Sequence, residues 1–419
     1  MSTAFSKANI LLPNGIDMGK WAVVACDQYT SELDYWKDVH DIVGDEPSTY
    51  KITLPEIYLE DDTENRIKKI NTTMKEYLDS NLFTEYKDAM IYIERTQSDG
   101  KVRCGIVGAI DLEEYDYHVG SKSQDRATEA TVIERIPPRV KIRKDAYIEL
   151  PHIMILIDDD NKTVIEPLEK AKAEFKKVYD FELMKNGGKI SGYLLSEEAK
   201  EAVDSALNKL ADLDNFNSKY KTNETSPLLY AMGDGNHSLA TAKECYERLK
   251  RENPDKDFSN HPARYALVEI VNLHSPALEF EAIHRIITEV DTKKLIEEMN
   301  SKLKLSDSKE GQKFIYVCNG EEKEVTITAP TSKLTVGSLQ NFLDEYLKNN
   351  KGKIDYIHGI DVLKTLAKEE NSIGFILPDM GKSELFPTVI ADGVLPRKTF
   401  SMGHAEDKRF YIEARRIKE

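Results

Sequence analysis

The chain has 419 residues, enough for two or three domains or one large elaborated one. It is 40% hydrophobic and 32% charged, which suits a soluble globular protein with a heavily charged surface. The formal net charge of −16 argues against a general binder of nucleic acid or anionic membrane, because phosphate contacts need positive surface.

The four cysteines, Cys26, Cys104, Cys245 and Cys318, are far apart and form no Cys-x-x-Cys pair, so neither a disulfide framework nor a thiolate zinc site is expected. No run approaches the roughly 20 apolar residues of a membrane span. Residues 1–15 hold no sustained apolar stretch of a signal peptide. A cytoplasmic protein is expected, with no nucleic-acid and no membrane partner.

In chain order, Lys20 to Cys26 reads as the first strand. Asp27, directly after it, is placed for ligand or metal contact, or serves as a plain turn residue. Leu33, Trp36, His40 and Val43 share a helical face that ends at Gly44. A second amphipathic helix runs from about Asp62 to Ser80. Ala89–Arg95 and Val102–Ile110 form a hairpin around Asp99-Gly100. The block from Ser121 to Lys144 is rich in Lys and Arg, including Arg126, Arg135, Arg139 and Arg143. In an acidic chain it is either an anion attractor or a solvated surface face.

His152 to Asp158 is an apolar strand, and Asp158-Asp159-Asp160-Asn161 reads as a polar hairpin turn, since its spacing is not that of a calcium loop. Pro167 opens a helix with the stripe Leu168, Ala171, Phe175 and Val178. Ile190–Leu195 is a strand, Ser196 caps the next helix, and Asp212–Thr225 reads as a polar loop.

The stretch from Pro227 to Pro254 reads as strand, glycine-hinged turn and helix. Leu228–Met232 is the strand, and Leu239, Ala242 and Leu249 mark the helix. Between them, Gly233-Asp234-Gly235-Asn236-His237-Ser238 sets free backbone N–H groups at the helix start, a place that binds phosphate or carboxylate. The plain alternative is an ordinary connection capped by Asp234 or Asn236. Gly233-x-Gly235-x-x-Ser238 also nearly matches a dinucleotide fingerprint, with Ser in place of the third Gly.

Beyond it, Tyr265–Val271 is a strand, and His284-Arg285 lies in an apolar run where a lone His is more often a packing residue. From Thr292 the chain reads as a helix, a hairpin at Asn319-Gly320, helices over Leu339–Leu347 and Val362–Ala367, and a strand over Ile373–Leu377. Leu395–Ala405, with Lys398, is a loop of special residues, and Phe410, Ile412 and Ala414 alternate as a last strand. P-loop, His-Glu-x-x-His and nucleophile-elbow motifs are lacking.

These segments resemble the domain-of-unknown-function family numbered 1015. Its Asp-Gly-His-His-Arg helix opening corresponds to Asp234-Gly235-Asn236-His237-Ser238, with the first His and the Arg replaced. Its His-Glu-x-x-Thr element corresponds to Thr128-Glu129-Ala130-Thr131, without the leading His. Trp21–Tyr29, Leu267–Asn272, Ile283-His284-Arg285 and Leu395–Ser401 also match. The helix opening is similar to the phosphate-binding turn of the ParB, sulfiredoxin and free-serine-kinase superfamily.

The resemblance implies an α+β fold with a mixed-sheet core over residues 1–290, carrying a ParB/sulfiredoxin-like phosphate turn, and a smaller α+β region over 291–419. It implies a nucleotide-dependent phosphotransferase, a kinase of free serine or a similar hydroxy amino acid, or the reverse transfer, using ADP or ATP with Mg²⁺. In that scheme His237, Glu129 and Asp234 are catalytic. Gly233, Gly235, Asn236, Ser238, Arg126, Arg139 and Arg143 hold phosphate, Asp234 and Asp27 hold the metal, and His284, Arg285 and Lys398 are further candidates. The partner is a small anionic or hydroxy-amino-acid substrate, with homo-oligomerisation left open. The alternatives are an NAD(P)-dependent oxidoreductase and a non-catalytic sensor that kept the fold.

Overall fold

The computed structural model describes residues 3–130 and 136–418. Thr131 and Arg135 lie outside them. The chain divides into two units, Met1–Leu278 with Gly403–Glu419, and Glu279–Met402. The division falls at Leu278, ahead of the expected 290, and the last residues belong to the first unit.

The first unit is built on a ten-stranded mixed sheet, so the fold is α+β around a mixed sheet, as expected. Its order is Lys176–Glu182, Lys189–Leu194, Ile91–Thr96, Val102–Asp111, Tyr265–Asn272, Met154–Ile157, Tyr230–Asp234, Asp125–Arg126 and Tyr115–Asp116. Phe5–Ser6 pairs with Val102–Asp111 as well. The Asp99-Gly100 hairpin forms as its turn chemistry requires, with Ile91 opposite Val107.

Alternation along each strand sorts side chains to two faces. Ile91, Ile93, Val107 and Leu267 join Trp21, Trp36 and Val39 in one buried cluster. Tyr92, Ile106, Val268 and Ile270 join Met232, Leu239 and Tyr246 in another. The sheet is therefore covered on both faces, which explains why its central strands read as nearly continuous apolar runs.

Several elements depart from expectation. Lys20–Cys26 is not one strand: Asp17 caps a short helix over Met18–Trp21, and only Val23–Val24 pairs, with Phe410–Tyr411. Phe175 and Val178 do not extend a helix, because the helix of Glu166–Ala171 gives way to the edge strand Lys176–Glu182. Asp212–Thr225 holds a helix, Leu213–Tyr220, capped by the Asp212 side chain on Asn215 N–H.

A lattice of buried charge ties Gly403–Glu419 to the sheet. Glu269 lies between Arg103 (3.4 Å) and Arg409 (2.7 Å), and Arg409 also meets Glu413 at 2.7 Å. Glu149 takes Arg415 at 2.7 Å, together with Arg143 and the Leu267 N–H. A Cβ on Gly105 would come within 2.6 Å of the Glu269 carboxylate, so the lattice has no room for a side chain there.

The second unit carries a seven-stranded sheet in the order Leu305–Ser306, Glu321–Ile327, Gln312–Cys318, Ile373–Ile376, Phe280–Thr288 and Lys353–His358, with Phe400–Met402 also on Phe280–Thr288. The Asn319-Gly320 hairpin forms, with both residues at positive φ. Its helices are Thr292–Leu303, Thr335–Asn349, Ile360–Leu366 and Leu385–Asp392.

Candidate functional site

The Tyr230–Asp234 strand ends at Gly235, whose φ of 80° turns the chain into the Asn236–Glu252 helix. A Cβ on Gly235 would stand 3.0 Å from Ile153 Cα, so both the left-handed turn and the close approach demand glycine. Glycine has no side chain to cap the first-turn amides, and no acidic residue stands in that turn. The positive end of the helix is therefore not neutralised by the helix itself.

Asp234 closes the strand and accepts the Gly235 N–H at 2.9 Å. Its other oxygen meets Lys408 Nζ at 3.0 Å. Burial opposes the charge of this carboxyl, but Lys408, with His152 and the Gly235 N–H, outweighs it and holds the group below its ordinary range. Lys408 itself is held by its neighbours. Arg95 bonds the carbonyls of Glu406 (2.8 Å) and Lys408 (3.3 Å). Arg103 bonds the Asp407 carbonyl, and Ser98 bonds both Asp407 carboxylate oxygens.

On the neighbouring segment, His152 Nε2 lies 2.8 Å from Ser238 Oγ, and its Nδ1 lies 3.0 Å from the Tyr411 hydroxyl. Tyr411 also accepts the Cys26 N–H at 3.0 Å. Burial first, then Cys26 and Asp27, push the Tyr411 hydroxyl far up, and burial with Asp27 pushes the Cys26 thiol up to about 12, so both stay protonated. Asp27, half-buried, lies 4.0 Å from His152 Nε2. The Cys26 carbonyl accepts the Glu56 N–H, and Glu56 pairs with Arg139. Asp27, Asp234, Gly235 and Ser238 thus lie around one place, with His152, Lys408 and Tyr411, and Arg139 is linked to it through Glu56.

Other expected residues stand elsewhere or serve other ends. Arg126 is buried, donating to the carbonyls of Ser123 (2.9 Å) and Ser226 (3.4 Å) and lying 3.9 Å from Glu224. Arg143 pairs with Glu149. Neither guanidinium is turned to the helix start. Glu129 is half-buried beside Thr128, whose hydroxyl bonds the Met232 carbonyl at 2.7 Å. His237 and Asn236 are half-buried in the first helical turn, and Gly233 lies one residue before Asp234.

His284, Arg285 and Lys398 belong to the second unit. His284 Nδ1 accepts the Leu377 N–H, and burial lowers its pKa. Arg285 bonds Gln340 and the Arg397 carbonyl and lies over Tyr356. Lys398 is exposed. Packing accounts for the first two.

The dinucleotide reading loses its framework. Tyr230–Asp234 runs antiparallel to Met154–Ile157, which is parallel to Tyr265–Asn272. The strands before and after the helix are therefore antiparallel and not adjacent, whereas that fingerprint needs a parallel strand–helix–strand unit. Ser238, in place of the third Gly, meets His152 instead.

The Asp158–Asn161 turn is not a hairpin: it leads from the strand Met154–Ile157 toward the helix Glu166–Ala171. Among the described residues, Asp158, Asp160 and His274 are grouped closely enough to share a metal ion. His274 Nε2 lies 2.6 Å from each carboxylate, and Lys219 Nζ lies 3.1 and 2.9 Å from them. Tyr220 completes the set on Asp158. The lysine supplies the cation these carboxylates require.

Sequence reasoning missed His152, Lys408 and Tyr411. The one available signal was the reading of the chain's last apolar alternation, at Phe410, as a strand; that strand brings the residues beside it to Val23–Val24.

Residues 11–346 match the model of the family described as "Protein of unknown function (DUF1015)". None of the curated proteins matches the chain. Among solved structures, a free serine kinase in complex with AMP is 12% identical with a TM-score of 0.38, over 76% of this chain and 93% of that one. A conserved hypothetical protein from Pyrococcus furiosus is 12% identical, with a TM-score of 0.36, over 76% and 96%. SbnI with C-terminal truncation from Staphylococcus aureus is 9% identical, with a TM-score of 0.36, over 71% and 82%. Likeness at that level says nothing of chemistry. The family match spans most of the chain, which belongs to that family.

Proposed function

From that membership as premise, we propose that the protein is a nucleotide-dependent small-molecule phosphotransferase, acting on free serine or a similar hydroxy amino acid. One observation supports this above others: the glycine-capped helix start stands beside the Lys408–Asp234 pair and the Ser238–His152 contact. Phosphoryl transfer asks mainly for positioned phosphates, charge neutralisation and a base for the acceptor hydroxyl. The amides of Asn236 and His237 and the helix dipole seat a phosphate. Lys408 offsets its charge. Asp27, half-buried and on the His152 side, takes the acceptor proton.

The residues also fit Mg²⁺, which binds through one or two carboxylates and keeps several waters. Asp234 would hold it, leaving Asp27 as the base, and it would neutralise charge on the transferred phosphoryl group. ADP or ATP is the donor.

Isothermal titration with ADP, ATP and CTP, each with Mg²⁺, tests the reading. Mass spectrometry for phosphorylated product from a panel of hydroxy amino acids completes the test. Micromolar binding by one nucleotide and a phosphorylated acceptor are expected. No binding by any of the three rejects the proposal. D27N should lower turnover at least tenfold with the melting temperature unchanged.

A further inference from the structure

Ser238 is the third residue of its helix, and its Oγ lies 2.8 Å from His152 Nε2. The opposite ring nitrogen faces Tyr411, whose oxygen already takes the Cys26 N–H. That oxygen has a second lone pair that can take an Nδ1–H. With the proton on Nδ1, Nε2 is the basic nitrogen and faces the serine hydroxyl. A hydroxyl, a base within hydrogen-bond reach and a third group orienting the base make up the arrangement of an activated nucleophile.

We infer that Ser238 takes the phosphoryl group from the nucleotide before the acceptor does. This rests on the proposed function and deepens it. Ser238 Oγ forms a bond to the terminal phosphorus, the bond from that phosphorus to the bridging oxygen breaks, and the shortened nucleotide leaves with that oxygen's electron pair. The serine proton passes to His152 Nε2. In the second half the acceptor hydroxyl attacks phosphoserine and gives its proton to Asp27, while His152 returns its own to Ser238 Oγ. No oxidant or further reactant is needed.

The position suits the intermediate. A phosphoserine in the first turn of a helix faces the positive dipole end, which stabilises its charge. The plain alternative, in which Ser238 and His152 only brace the turn, leaves the hydroxyl unmodified.

The test uses the full chain with Mg²⁺ and whichever nucleotide binds, without acceptor. Intact mass and peptide mapping should show one phosphoryl group, stable to acid, on the peptide holding Ser238. S238A should take none, and S238T should carry it on the new hydroxyl. H152Q should label at least tenfold more slowly. Melting curves check that each variant is folded. Bound nucleotide with unlabelled protein overturns this inference and leaves the proposed function standing. An acid-labile label on His237, the nearest competing nucleophile in the turn, overturns it as well. Absence of any nucleotide binding removes both readings together.

Discussion

Asp125 gives the most quantitative prediction. It sits on the two-residue strand Asp125–Arg126, wholly buried, and neither carboxylate oxygen has a hydrogen-bond partner among the described residues. Its cross-strand neighbours are Tyr115 and Tyr230. Burial alone drives the carboxyl far above its usual range, so the folded protein carries Asp125 neutral. In the unfolded chain the same group titrates near pH 3.9. Between the two values the native state holds a proton that the unfolded state has lost, so stability falls as pH rises. For as long as the native carboxyl keeps its proton, the fall is on the order of 1 kcal/mol per pH unit. D125N keeps the shape and removes the titration. Its own amide burial costs about 1–3 kcal/mol, but that cost does not vary with pH. Urea denaturation of both proteins at pH 5, 6 and 7 isolates the term, because every other titrating group is shared. The variant should gain on the parent steadily across the series. Parallel stability curves would refute the account and mean that Asp125 is charged or solvated.

Three further outcomes follow from the site. G235A forces a left-handed backbone onto a residue with a Cβ and presses it on Ile153, which should cost about 1–3 kcal/mol in denaturation and abolish nucleotide binding. K408M leaves Asp234 without its cation and should cost about 1–3 kcal/mol, with most of that recovered in the D234N/K408M double variant; a double-mutant cycle in urea reads the coupling. Asp234 has a depressed native pKa, so its contribution is full above about pH 4, the unfolded value, and is lost as pH falls through the native value; D234N should therefore differ from the parent at pH 6 and converge with it in acid.

What could be read from the sequence follows range of interaction. The Ser196 cap, the Gly44 stop and the two glycine hairpins depend on neighbours in the chain, and each formed as expected. The strand Lys176–Glu182 escaped because it is an edge strand with only Lys189–Leu194 beside it, and its exposed lysines and acids blur the alternation. The helix Leu213–Tyr220 buries only Phe216 and so shows no stripe. The strand, turn and helix around Gly235 were legible for the same local reason. His152, Lys408 and Tyr411 were not, since they reach Ser238 and Asp234 from distant segments by way of buried charge that no window of sequence contains.

The pairing of the basic block decides how an anion can bind at all. Read as composition, Arg126, Arg139 and Arg143 are free cations for a phosphate. In the fold Arg126 is spent on Ser123, Ser226 and Glu224, Arg143 on Glu149, and Arg139 is paired with Glu56. Lys408 stands against Asp234, and Asp27 adds a negative charge by His152. Around the helix start the charges of the described residues thus nearly cancel, and the helix dipole alone is worth only about 0.3–1 kcal/mol to an anion. A nucleotide of several negative charges needs more than that, and a divalent cation on Asp234 would supply it. Nucleotide affinity should therefore fall at least a hundredfold when Mg²⁺ is replaced by EDTA, equivalent to about 2.7 kcal/mol. Equal affinity with and without the metal, measured by titration calorimetry at one ionic strength, would mean that the amides and Lys408 suffice and that Asp234 binds no cation there.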